Sequence, residues 1–203
     1  MRLSLICLAF ILLLNGMPSQ ATSIQQLGFD EVVANSVLVF EGEVVASESV
    51  YNKAATAIIT RVRFRVFELL KGELDEVYVT LNFAGGNVGD VGMVIPGMRY
   101  PQIGEHGLYF VKDLRATHAN PLVGWSQGHY LIKNEAGESS VSTADGKPIY
   151  DVQASPGPFR ALSMGIAKGI LTKHKKGIKP LRARQFKDRV RSRMRSQPRA
   201  TVR

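Results

Sequence analysis

Cysteine is all but missing from this chain, whose 203 residues include only Cys7. One thiol permits no internal disulfide, and zinc sites built on several cysteines are excluded with it. Also lacking is an apolar run long enough to span a bilayer as a helix, which takes about 20 residues. The longest run, residues 3–14, stops short of that. It follows Arg2, is broken by Asn15, Gly16 and Pro18, and leads to Ser19 and Ala21, small residues at the −3 and −1 positions of a cleavage site. This is the pattern of an export signal over residues 1–21. Cleavage after Ala21 leaves 203 − 21 = 182 residues with no thiol, in the periplasm or outside the cell, where stability has to come from packing.

Signatures of cofactor and metal chemistry are scarce as well. Residues 85–92 (Gly85-Gly86-Asn87-Val88-Gly89-Asp90-Val91-Gly92) are glycine-rich after a strand, but they lack the Lys-Ser/Thr of a P-loop and the spacing of a dinucleotide site. A hairpin loop is the ordinary reading. The functional one is a recognition loop in which Gly85, Gly86, Asn87, Gly89, Asp90 and Gly92 meet another chain. Asn87 and Asp90 alone fall short of the roughly 6–8 oxygen ligands of calcium. His106, His118 and His129 lie 12 and 11 residues apart with no helical His pairing, so a metal-assisted hydrolase using these histidines is the secondary reading. No cofactor is expected.

Gly124-Trp125-Ser126-Gln127-Gly128 satisfies G-x-S-x-G. A nucleophile elbow needs that serine on a turn from strand into helix, with an acid and a histidine arriving later. Here residues 129–133 read as a strand, and the only histidines after Ser126 are His129 and His174. A turn or bulge using the glycines is expected instead. Trp125 is either an exposed anchor for a partner or a plug in the core.

Charge is present in quantity, and it is unevenly spread. Residues 165–203 hold 14 Lys and Arg against Asp188, giving 14 − 1 = +13, whereas residues 22–164 hold 11 basic and 16 acidic residues, giving 11 − 16 = −5. A concentrated positive segment suits a polyanion, an anionic surface or an acidic protein. Its candidate contacts are Arg182, Arg184, Lys187, Arg189, Arg191, Arg193 and Arg195. Phe186, Val190 and Met194 form a thin apolar line among them, so residues 181–203 read as a solvated basic tail or a basic amphipathic helix.

Between signal and tail the period is mostly two. A short helix capped by Ser23 and ended by Asn35 and Ser36 comes first. A strand over residues 37–46 follows, its alternation slipping at Phe40-Glu41-Gly42 as a bulge requires. Residues 60–69 alternate Val62, Phe64 and Val66 with Arg61, Arg63 and Arg65, and residues 77–83 place Val77, Val79, Leu81 and Phe83 on one face. Residues 93–95, 108–111 and 129–133 supply further strands, the first of them as partner of residues 77–83. The reading is mainly β: a compact antiparallel OB-like barrel over residues 22–155. Pro156-Gly157-Pro158 then starts an amphipathic helix over residues 156–180, with Phe159, Leu162, Ile166 and Ile170 as its stripe.

The segments 37–44 (VLVFEGEV), 60–72 (TRVRFRVFELLKG), 85–97 (GGNVGDVGMVIPG), 104–111 (GEHGLYFV) and 124–130 (GWSQGHY) together resemble a family of small exported bacterial proteins. Their fold is similar to the netrin-like OB barrels shared with tissue inhibitors of metalloproteases. The resemblance implies a metalloprotease as partner. It does not carry over zinc-directed inhibition, because those inhibitors use an N-terminal cysteine where this chain has Thr22-Ser23-Ile24. The expectation is therefore an exported, non-catalytic interaction module with a protein partner and a basic segment for an anionic one.

Overall fold

The computed structural model describes residues 24–115, 119–135, 137–155, 157, 162–163, 165–174 and 176–196. The expected export signal, Ser23 and His118 lie outside them. The architecture is mainly β. Strands β1 (Leu38–Tyr51), β2 (Ile58–Lys71), β3 (Tyr78–Ala84), β6 (His106–Val111), β7 (His129–Glu135) and β8 (Glu138–Thr143) form one antiparallel sheet in the order β3-β2-β1-β6-β7-β8. The sheet stays open, with β3 and β8 at its edges and unpaired to each other, where a closed barrel was expected.

The alternation in β2 holds: Val62 and Phe64 are buried, and Arg61, Arg63 and Arg65 are exposed. The slip expected in β1 at Phe40-Glu41-Gly42 falls in β2 instead: the register shifts at Val39/Phe40 and Glu41/Gly42 leave Leu70 and Phe67 of β2 unpaired, while β1 runs in unbroken register with β6 from Leu38 to Glu43. Only the shift at Val44/Ala46 puts its extra residue, Val45, in β1. Each shift adds an unpaired residue and increases the local twist. Gly42 is needed there because a Cβ would meet the carbonyl of Arg65 at 2.6 Å.

Both faces of the sheet are covered. On one, Phe40, Phe64 and Tyr109 pack ring against ring (4.6–5.4 Å) with Val62, Leu81 and Phe83, and the loop residues Met98 and Tyr100 fill in beside them. On the other, Val39, Leu108, Phe110, Tyr130 and Val141 receive two helices, α1 (Phe29–Ala34) and α2 (Ala183–Ser196). Helix α1 starts later than expected. Residues 25–28 are held extended by bridges from Gln25 to Leu162 and from Gly28 to Lys168, and the first turn is closed by Gly28 N–H donating to Glu31 Oε2 at 2.7 Å.

Three expectations are corrected. First, residues 93–95 do not pair with β3; Val91–Met93 is β5, and it forms a separate hairpin with β4 (Gly86–Val88). Second, the stripe assigned to an amphipathic helix is not helical where it is described. Gly165 and Gly169 adopt φ of 83° and 94°, and Ile170–Leu171 is strand β10, paired with β9 (Asp151–Val152). Phe159 lies outside the described residues. Third, the basic segment is no solvated tail: residues 183–196 are helix α2, with Phe186 and Val190 fully buried against Phe29 and Tyr130. Strand β8 escaped the sequence reading because Glu138–Thr143 offers a single apolar residue, Val141.

Candidate functional site

The sheet decides what its histidines can do. Along β6 side chains alternate, so His106, Leu108 and Phe110 face the helices while Tyr109 faces away from them. His129, opposite Tyr109 in the register, shares Tyr109's face and packs on its ring at 5.1 Å. The imidazoles of His106 and His129 are thus on opposite faces of the sheet and do not converge. Each is engaged by a carboxylate. His106 Nε2 lies 2.9 Å from Glu41 Oε1, and His129 Nε2 lies 2.6 Å from Glu105 Oε1, with His129 only 1% exposed. Among the described residues no group of three His, Cys, Asp or Glu is placed to hold a metal.

Glu105 is the hub of its cluster. It accepts hydrogen bonds from His129 and from Tyr109 Oη at 3.2 Å, and pairs with Arg99 at 3.0 Å. Burial alone would raise its pKa, but His129, Arg99 and Tyr109 outweigh that and hold the carboxyl below its ordinary value near 4.5. The same burial, with Glu105 alongside, drives the Tyr109 phenol up. This is a closed polar pair in the core, not a site open to substrate.

Because the folded carboxyl binds its proton less readily than the unfolded one, its stabilising contribution is complete above pH about 4.5 and is lost as pH falls through the depressed value. Replacing Glu105 by Gln is expected to lower the melting temperature at neutral pH, with the wild-type and variant curves converging once the pH has fallen below the depressed value. Melting curves that stay parallel throughout would show that Glu105 carries none of the acid sensitivity.

The basic residues of α2 are mostly spoken for within the molecule. Lys187 Nζ lies 2.5 Å from Glu41 Oε2 and 2.6 Å from Glu68 Oε2, and Arg191 pairs with Glu68 and Asp188. Arg193 pairs with Asp30, Arg189 with Asp151, and Arg182 with Glu138. Burial works against the Lys187 charge, yet the two carboxylates raise its pKa; Glu41 is correspondingly held low against its own burial. Of the seven candidate contacts only Arg184 and Arg195 lack an ion pair among the described residues. Sequence reasoning missed Glu41, Glu68, Asp30 and Glu105. Their signal was the acidic excess of residues 22–164, which mirrors the basic one.

The glycine segment folds as a hairpin turning at Gly89-Asp90, with Asn87 opposite Gly92. Gly85 and Gly86 have φ of 87° and 128°, the backbone turn that takes the chain from β3 into β4. In the hairpin and just after it two aliphatic side chains stand in solvent: Val91 is 53% exposed and Val94 86%. Met98, in the turn that follows, meets Asn120 (Nδ2 to Sδ, 3.3 Å). Asn120 in turn lines an open cleft of about 330 Å³ with Ile24, Leu27, Gly124 and Trp125.

Trp125 is half-buried in that cleft and adopts φ of 59°, in the left-handed region that bulky residues avoid. It opens a 3-10 turn (Trp125–Gly128) that runs into β7, the reverse of a nucleophile elbow. Buried Gln127 fixes the turn by accepting from Leu27 N–H at 2.8 Å and donating to the carbonyl of Gln25 at 3.0 Å.

Comparison with protein-family models, curated proteins and solved structures returned no match. The functional reading therefore rests on the residues themselves.

Proposed function

We propose that this chain is an exported, non-catalytic interaction module that binds a protein partner through the end of the sheet carrying the β4–β5 hairpin. The observation that carries the reading is the exposure of Val91 in the hairpin and of Val94 just after it. Aliphatic side chains left in water on a projecting hairpin suit a surface covered by a partner. The strained backbone at Trp125, in an open cleft, marks a second surface feature, because strain of about 1–3 kcal/mol persists where surrounding structure or function demands it.

The identity of the partner as an extracytoplasmic metalloprotease is part of the proposal and is supported by the family resemblance alone. So is the OB-like character of the fold. Its support is a meander of three antiparallel strands, the first of them bulged, followed on its other side by β6 and β7. For an anionic partner the basic residues near the C-terminal helix without an ion pair among the described residues include Arg184 and Arg195, together with Lys173, Lys176 and Lys179 in the loop before α2.

A photo-crosslinking residue at position 94, in cells that make the protein, is expected to trap one defined protein, and the same residue at exposed position 133 on β7 is not. Val91→Asp combined with Val94→Asp is expected to abolish the product and to leave the melting temperature unchanged, since both side chains are exposed. Equal crosslinking from both positions, or a product that survives the double substitution, would remove this end of the sheet from the reading.

A further inference from the structure

The two edges of the sheet are treated differently. Along β8 the outward groups are paired: Val141 N–H donates to the Leu181 carbonyl (3.0 Å), Ile149 N–H to the Val141 carbonyl (3.0 Å) and Thr143 N–H to the Lys147 carbonyl (3.0 Å). Along β3 they are not. Val66 N–H donates to the Val77 carbonyl at 2.7 Å, which makes 66 and 77 a bonded pair. By alternation the bonded pairs continue through Phe64/Val79, Val62/Leu81 and Thr60/Phe83. The N–H and C=O groups of Tyr78, Thr80, Asn82 and Ala84 therefore point away from the sheet. Ala84 N–H does so visibly, donating to the Ala119 carbonyl at 2.8 Å. Among the described residues the other three have no backbone partner.

Natural edges are usually blunted by charge, proline, bulges or a covering segment. Over Tyr78–Asn82 β3 lacks the first three: no charged residue and no proline occurs from Val77 to Gly89, and the β2–β3 register is unbroken; among the described residues no backbone segment bonds to this stretch of the edge. The face flanking the edge is positive. Arg61 and Arg63 are exposed without a carboxylate partner among the described residues, Arg63 resting on the Tyr78 ring at 4.4 Å, while Arg65 is paired with Glu43. Asn82 Oδ1 is buried beside them with no donor.

We infer that the β3 edge takes up an extended acidic segment of another protein as an added strand. Its backbone completes the groups of Tyr78, Thr80 and Asn82, and its carboxylates meet Arg61 and Arg63. The inference rests on the reading of the chain as an interaction module and adds the chemistry of one partner segment. Its surface is distinct from the hairpin, so the two can fail separately.

The test uses the full chain and a fluorescent peptide of alternating valine and glutamate, with a twin carrying lysine for glutamate. The acidic peptide is expected to bind at least about tenfold more tightly than its twin. It should slow hydrogen exchange at the amides of Tyr78, Thr80 and Asn82 and leave Val79 and Leu81 unchanged. Thr80→Pro removes only an outward donor and is expected to abolish binding. Arg61→Glu with Arg63→Glu is expected to reverse the preference between the peptides, and this second variant carries the test if the proline variant melts early. Val91→Asp with Val94→Asp is expected to leave peptide binding intact. No binding by the acidic peptide, binding indifferent to Thr80→Pro in a folded variant, or equal binding of the twin overturns the inference. So does a wild-type dimer in sedimentation that Thr80→Pro dissociates, which would give the edge to a second copy.

Discussion

A chain ended at Pro180 is expected to lose its cooperative unfolding transition. Helix α2 lies on the sheet face that holds Phe29, Phe110 and Tyr130, with Phe186 at 5.5 Å from the Phe29 ring and 5.0 Å from the Tyr130 ring. Truncating one such buried aromatic to alanine costs about 3–5 kcal/mol. Whole domains are stable by about 5–15 kcal/mol, so losing Phe186 and Val190 together takes most of what is there. The deletion also strands Glu41 and Glu68, whose partner Lys187 goes with the helix, and strips Leu181 from the edge of β8. Phe186→Ala alone is the milder test and should lower the guanidinium midpoint without changing the helix content expected of a folded chain. A truncated protein that still melts cooperatively within about 1 kcal/mol of the full chain would show that α2 is an appendage after all.

The second large effect is expected at the centre of the other face. Phe64 is fully buried between Phe40 and Tyr109, with centroid distances of 5.4 and 4.6 Å, and Phe64→Ala should cost about 3–5 kcal/mol. In a chain of this size that corresponds to a fall of about 10 °C in melting temperature. Its neighbour Arg63 is exposed and rests on the Tyr78 ring, so Arg63→Ala should cost under about 1 kcal/mol. Calorimetry on the two variants decides it. Equal shifts would mean that the inward and outward faces of β2 are interchanged.

The parts of the fold that were legible are those where a side chain's fate is settled by its nearest sequence neighbours. Arg61 to Val66 alternate without exception, and the structure alternates with them. The broken rhythm at Phe40-Glu41-Gly42 marked a real register shift but not the strand that carries the extra residue, which is β2. What could not be read was decided by distant residues. Phe186, Val190 and Met194 make too narrow a line to announce a core helix; their burial depends on Phe29 and Tyr130, far away in the chain. The ionic contacts behave likewise, for a surplus of acid in one segment and of base in another says that they attract without saying which residues meet. Gly165 and Gly169 lie in the stretch read as an amphipathic helix, but their positive φ values mean that no helix runs through them. At the candidate site the glycines of the hairpin were visible in advance. The exposure of Val94 and the bare edge of β3 were not, since both depend on what fails to cover them.

The position of α2 has a consequence for the order of events as the chain is made. The face of the sheet that holds Phe29 and Tyr130 is sealed by residues 183–196, so an incomplete chain has every strand of the main sheet and no lid for that face. Synthesis proceeds at roughly 5–20 residues per second, and contacts of such long sequence separation form slowly in any case. Until the last helix emerges, the nascent polypeptide exposes a greasy surface that invites chaperones and cannot lock into a compact state. Under the proposed export such a delay is an advantage: the chain stays pliable while it is in transit and becomes rigid only once α2 has arrived.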